Sequence, residues 1–243
     1  MRVMAIAPHP DDDAIGCGGS IVQHVQRGDS VHVVYVTSGE HGSPVYTPSE
    51  LAKIREAEAA QGAKILGAQA TTFLRQPDGN VGYSIDLVNQ FIQLIRTEKP
   101  DVLYLPHSAD GHKDHQQTFA VVMEAAGRAG GNSFPEWGGK AWGIATMLGY
   151  EVWTPMQSFQ YVNDISAEID TKLRAIRCYA TQFPKAKEWI FERVRAAALH
   201  DGIAAGYEAG ELFASTRTLG TRDLVHFLFG QTPSDEPRKP EVR

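Results

Sequence analysis

The chain is poor in the features that would force an unusual architecture. It has two cysteines, Cys17 and Cys178, among 243 residues, too few for a disulfide framework, so a reducing compartment is the expected setting. No apolar run reaches eighteen residues, and the five apolar residues after Met1-Arg2 are too short for a secretory core or a membrane span. Positive charge is not in excess: 23 Lys and Arg face 29 Asp and Glu, a net charge of -6. That balance argues against nucleic acid or an anionic membrane as the principal partner. With 42% hydrophobic and 21% charged residues, the composition is that of a soluble globular protein, expected in the cytoplasm.

What the chain does contain is alternation. Short β-branched or apolar runs, "RVMAIA", "VHVVYV", "TTFL" and "DVLYLP", are each followed by a segment with apolar residues at helical spacing. The second of these helices carries full punctuation. Thr47 stands at its cap, Pro48 at its first position and Glu50 reaches back, while Leu66-Gly67 ends it. Strand and helix in turn mean parallel βαβ units. The fold class is α/β, a Rossmann-like open, mostly parallel sheet with helices on both faces and a C-terminal extension. Residues 1–230 are expected to form a single domain and the charged, proline-rich 231–243 a tail. Residues 127–143 hold six glycines and read as a loop or mobile flap.

Two clusters carry chemistry. "HPDDD", His9 to Asp13, follows the first strand, and "PHSADGHKDH", Pro106 to His115, follows the fourth. Both lie where strands exit into helices, the edge that carries the ligand crevice in open α/β sheets. Three successive carboxylates at a buried strand end repel one another unless a cation is present. Histidine with carboxylate suits zinc or a similar transition metal better than magnesium or calcium. His9, Asp12 and a histidine of the second cluster would supply three ligands. Asp11, beside the metal but outside its ligand set, would act as base. His112, paired with Asp114, would remain protonated and stabilise an oxyanion. His107 is the rival to His115 as a ligand. His41, on the same sheet edge, is a candidate substrate contact, and Asp78 has a turn role or lines the pocket. "GCGG" lacks dinucleotide spacing; its glycines are read as letting the first helix pack on the sheet. The tryptophans Trp137, Trp142 and Trp153 default to core packing, with sugar stacking or subunit contact as the lesser alternative.

"HPDDDAIGCGG" and "HKDH", in this order, resemble the signatures of the LmbE-like, or PIG-L, family of zinc-dependent de-N-acetylases. "IREAEAAQGAKILG", "YEVWTP", "KLRAIRCYATQ" and "EAGELFAS" extend the likeness over nearly the whole chain. The resemblance implies zinc held by His9, Asp12 and His115, with Asp11 as general base, His112 polarising the amide carbonyl or protonating the amine, and Asp114 orienting His112. Arg55 would meet the sugar substrate. Asp13, where relatives carry glutamate, is placed with Arg55 and His41 as a substrate contact. The implied reaction is removal of an N-acetyl group from an N-acetylglucosamine-type conjugate, with a sugar–thiol amidase as the near alternative. A homo-oligomer, trimer or hexamer, is implied as well. A rival from another class is a magnesium-binding phospho-acceptor domain, which would need an acceptor aspartate ending the third strand and a lysine after the fifth.

Overall fold

The computed structural model describes residues 1–132, 137–184 and 188–217. The expected tail, 231–243, and the last stretch of the expected domain, 218–230, lie outside the described residues. The elements are β1 (Arg2–Ala7), α1 (Asp12–Gln26), β2 (Ser30–Thr37), α2 (Pro48–Leu66), β3 (Ala70–Gln76), α3 (Ile85–Glu98), β4 (Val102–Pro106), α4 (Lys113–Ala129), β5 (Thr146–Tyr150), β6 (Tyr161–Asp164), α5 (Ile169–Ile176), α6 (Trp189–Ile203) and β7 (Gly210–Arg217). They form one sheet of order β3-β2-β1-β4-β5-β7-β6. β1 to β5 are parallel, and β7 pairs antiparallel with both β5 and β6. This is the mostly parallel sheet with a C-terminal extension that alternation predicts.

The strand order explains why two distant clusters can meet. The chain lays β2 and β3 on one side of β1, then returns to lay β4 and β5 on the other. β1 and β4 are therefore neighbours at the point where winding reverses, and the crevice opens above their carboxyl ends. Residues alternate between faces along each strand. Val3, Ala5 and Ala7 of β1 join a core under α1, α2, α5 and α6, while Met4 and Ile6 join a second core under α3 and α4. Among the described residues, no helix is long and apolar enough to cross a membrane.

Local chemistry sets the boundaries of α2: Thr47 and Glu50 form the reciprocal capping box, and Gly67 closes the helix at φ 88°. α1 is interrupted at Cys17, whose backbone leaves the helical region at φ -137°. The helix restarts because Glu211, from β7, accepts from the amides of Gly19 (2.8 Å) and Ser20 (2.9 Å) and from Ser20 Oγ (2.6 Å). A carboxylate there caps the second half of α1, and Lys172 Nζ, 2.7 Å away, balances its charge. The described parts of the glycine-rich stretch, 127–132 and 137–143, are tied to the fold. Residues 127–129 are the last of α4, and Arg96 donates to the carbonyls of Ala129, Gly131 and Gly138. Trp137 and Trp142 pack with the α3–α4 core.

Gly16 brings α1 onto the sheet: a Cβ there would lie 2.1 Å from the Tyr150 ring. Gly16→Ala is expected to destabilise the fold by about 1–3 kcal/mol through overpacking, read as a fall in Tm of about 2–4 °C per kcal/mol. An unchanged Tm would show that the ring moves aside freely.

Candidate active site

The turn after β1 separates three adjacent carboxylates. Asp11 sits at φ 133°, in a region that non-glycine residues rarely occupy and that is held only where surroundings enforce it. Its Oδ2 lies 3.2 Å from Arg55 Nη2, which also donates to Pro10 O at 2.6 Å, while Arg55 Nη1 donates to Gly39 O at 3.1 Å. Gly39, at φ 64°, makes room for that guanidinium: a Cβ there would lie 2.0 Å from Nη1. Asp12 turns the other way and accepts the His9 amide at 2.8 Å. Asp13 turns beneath α1, where the hydroxyls of Tyr35 (3.0 Å) and Tyr179 (3.4 Å) reach it.

Around Asp12 the spacing is that of metal ligands. Asp12 Oδ2 is 3.2 Å from His9 Nδ1 and 3.2 Å from His115 Nε2, and the two ring nitrogens are 3.3 Å apart. Metal bonds of about 2.0–2.1 Å in tetrahedral geometry place neighbouring ligand atoms about 3.3 Å from one another. Asp12 Oδ1 is buried with no hydrogen-bond partner, a cost that a cation would relieve. His112 joins His9 and His115 in a wider grouping, and His9 Nε2 forms another with Asp78 and Asp114, each with ligand atoms within 4.8 Å. In the latter, Asp114 is already engaged, since its oxygens accept from the amides of Gly79 (2.8 Å) and Val81 (3.0 Å).

The outer nitrogens of both rings are backed by carboxylates. Asp114 Oδ2 is 3.0 Å and Asp78 Oδ1 3.3 Å from His9 Nε2, and Asp110 Oδ2 is 3.4 Å from His115 Nδ1. The Asp114 hydrogen bond fixes the His9 ring and raises its basicity as a ligand, whereas Asp110 acts on His115 Nδ1 as a nearby charge without a hydrogen bond. Two expectations change here. Asp114 serves His9, not His112; side chains two apart at a helix start point away from each other, and only the Asp114 amide reaches His112 Nδ1. Asp13, expected among the substrate contacts, is fully buried and does not line the pocket; its carboxylate is taken by the hydroxyls of Tyr35 and Tyr179. His107 is turned away, 2.8 Å from Thr154 O. Asp110, in the same cluster, carries no sequence signal for this role; it also accepts the His112 amide at 2.8 Å.

The electrostatics follow. Burial disfavours a charged His115, but the Asp12 and Asp110 carboxylates outweigh it and lift its pKa to about 9. Burial likewise opposes charge on His9, and Asp114, Asp12 and Asp78 raise it well above its ordinary value. The same two histidines hold Asp12 far below the carboxylate range against its burial. This field favours positive charge at the point where the three ligand atoms converge. Burial pushes Asp11 up to about 7 despite Arg55. His112 is lowered by burial and by the neighbouring histidines.

The pocket above the cluster has a volume of about 280 Å³ and is lined by His9, Asp11, Asp12, Arg55 and His112, with His41, Gly42, Asp78, Gly79, Trp153 and Gln182 around them. His41 lines the pocket, its amide donating to Asp78 Oδ2 at 2.8 Å. Gln182, also on the pocket, has no motif signal of its own in the sequence. It is carried by the segment "KLRAIRCYATQ", which Glu58 fixes by accepting from Thr181 N (2.9 Å) and Oγ1 (2.6 Å).

A histidine–carboxylate cluster at the switch point of a doubly wound sheet defines an α/β protein with a metal-binding centre. The chain belongs to the PIG-L family: the family model described as GlcNAc-PI de-N-acetylase matches residues 4–126. It is 31% identical over 220 residues to the diacetylchitobiose deacetylase of Thermococcus kodakarensis, covering 86% of this chain and 81% of that protein. Its structure resembles the N,N'-diacetylchitobiose deacetylase of Pyrococcus horikoshii, with a TM-score of 0.82, 28% identity and coverage of 92% and 88% of the two chains. The hydratase GalB of Pseudomonas putida shares the fold at TM-score 0.82 and 23% identity, over 90% of this chain and 98% of that one. The fold alone therefore does not fix the reaction.

Because His9 and His115 favour the protonated state at pH 7, zinc added to metal-free protein is expected to release protons, and its affinity should climb as pH rises toward about 9. Calorimetry in buffers of different ionisation enthalpy reads this directly. Asp12→Ala should abolish the binding and His107→Ala leave it; the reverse would relocate the site.

Proposed function

We propose that the chain is a zinc-dependent N-deacetylase that removes the acetyl group from an N-acetylglucosamine-type conjugate, releasing acetate and a free amine. The observation that carries this reading is the convergence of three ligand atoms at 3.2–3.3 Å with a further carboxylate, Asp11, on the same pocket. His9, Asp12 and His115 would hold the ion. When bound, zinc supplies Lewis acidity, polarising an amide carbonyl and making water acidic near neutral pH.

The remaining steps belong to side chains. Asp11 takes the proton from the attacking water, and Arg55 holds that carboxylate toward the pocket through the 3.2 Å ion pair. His112 accepts the Asp114 amide at Nδ1, so its Nε2 carries the hydrogen and donates to the carbonyl oxygen as charge develops. Its lowered pKa suits a neutral donor in place of the protonated one expected from sequence. Asp11 then passes its proton to the departing nitrogen as the C–N bond breaks. Family membership and the diacetylchitobiose deacetylase relatives support an amino sugar as the carrier of the acetamide; a sugar–thiol conjugate would use the same centre with different contacts at the rim. The phospho-acceptor alternative lacks its lysine, since β5 is followed by Glu151, Val152 and Trp153, and the histidines have no place in that chemistry.

Asp11→Asn is expected to lower acetate release from N-acetylglucosamine conjugates by about 10²–10⁴-fold, the usual worth of a positioned base, while zinc content stays at one ion per chain by elemental analysis. Full activity in that variant would dismiss Asp11 as the base, and activity that survives complete removal of zinc by a chelator would dismiss the metal.

A further inference from the structure

Trp153 does not share the fate of Trp137 and Trp142. It lies on the pocket wall and remains 38% exposed, although a large apolar ring gains most by burial. It is also held still. Its amide donates to Asp110 Oδ2 at 3.4 Å, tying it to the carboxylate that backs His115. Arg193 lies over its ring, 4.8 Å from the centroid, and donates to the carbonyls of Val152 and Trp153 at 3.4 Å. The residue follows β5, whereas His41 and Asp78 follow β2 and β3, on the far side of β1 and β4 in the sheet. The metal cluster therefore lies between an aromatic wall on one side and hydrogen-bonding groups on the other.

We infer that Trp153 is the specificity-determining platform on which the pyranose ring of the substrate stacks while its acetamide reaches the metal cluster. Indole against one side, with Arg55, His41, Asp78 and Gln182 on the polar side, matches a ligand that has an apolar C–H face and hydroxyls around its edge. Gln182 Nε2 is buried without a partner, and a sugar hydroxyl would satisfy it. Acyclic N-acetyl amines offer no such face. Arg193 fixes the indole before substrate arrives, so little ordering remains to be done on binding. This inference rests on the deacetylase reading for the reaction, but the stacking itself can be read without turnover.

The test compares wild-type, Trp153→Phe and Trp153→Ala proteins, each checked for zinc content and folding. Trp153→Ala is expected to raise KM for an N-acetylglucosamine conjugate about tenfold with kcat within about threefold, and Trp153→Phe to recover most of the loss. In parallel, N-acetylglucosamine should quench the indole emission that Trp153→Phe removes, and acyclic N-acetylethanolamine should not. Unchanged KM in Trp153→Ala, a loss confined to kcat, or equal quenching by the acyclic amide would overturn the platform. If wild-type protein releases no acetate from any N-acetyl sugar, the deacetylase reading fails, and the quenching comparison still decides for or against stacking.

Discussion

Three consecutive carboxylates share one buried turn, and the structure is organised around keeping them apart. In low dielectric, adjacent like charges cannot all stay ionised without separate compensation. Asp11 receives a guanidinium, Asp12 two imidazoles, and Asp13 two phenol hydroxyls. Burial pushes Asp13 up to about 7 even with its tyrosine partners, so it can relieve the repulsion by holding a proton near neutrality. The backbone contributes through the strained φ at Asp11, which sends successive side chains in directions a regular helix start would not allow. Specialisation follows from environment, since identical side chains receive different partners.

Those partners arrive from far along the chain, which is what the topology supplies. The reversal at β1 and β4 puts the two histidine clusters side by side. Arg55 comes from α2, the element after the neighbouring strand, and Tyr179 from beyond α5. The antiparallel β7 adds a further device: Glu211 caps the second half of α1 and is itself neutralised by Lys172. The helix that begins with the metal-site aspartates is thus braced at its kink by the C-terminal extension. A buried ion pair is weak evidence for net stability, but here it satisfies amides that the break at Cys17 would leave without partners.

Local signals were legible in the sequence and long-range ones were not. The alternation from β1 to α4, the capping box at Thr47 and the stop at Gly67 each arise from residues within a few positions of one another. The two histidine clusters could be joined because a general rule places strand exits on one edge. The placement of Asp13 could not be read in this way, since its partners lie 22 and 166 residues away. Sequence adjacency misled at His112 and Asp114, which suggest a pair by proximity yet diverge by helical geometry. Asp110 carries no sequence signal of its second role, and Asp78 stays divided between turn and pocket, because an aspartate in a turn has a sufficient local explanation; only the ring nitrogens opposite them reveal another role.

The same layout separates what the chemistry requires from what substrate choice requires. The ligand atoms, with Asp110 and Asp114 behind them, hang from the ends of β1 and β4, the central strands of the sheet, and Asp78 joins them from the end of β3. His41, Gln182 and Trp153 instead come from connections tied to the scaffold largely through their backbone: the His41 amide to Asp78, Thr181 N and Oγ1 to Glu58 beside Gln182, and the Trp153 amide to Asp110 with Arg193 over the indole. A change at the rim can therefore alter which molecule is bound without loosening the metal cluster. That separation allows one sheet to carry deacetylases of different sugars and, as GalB shows for the fold, reactions of another kind. In this chain the pairing of a fixed indole with buried polar groups biases the rim toward a saccharide, because a ligand without both an apolar face and a polar edge would leave one wall unsatisfied.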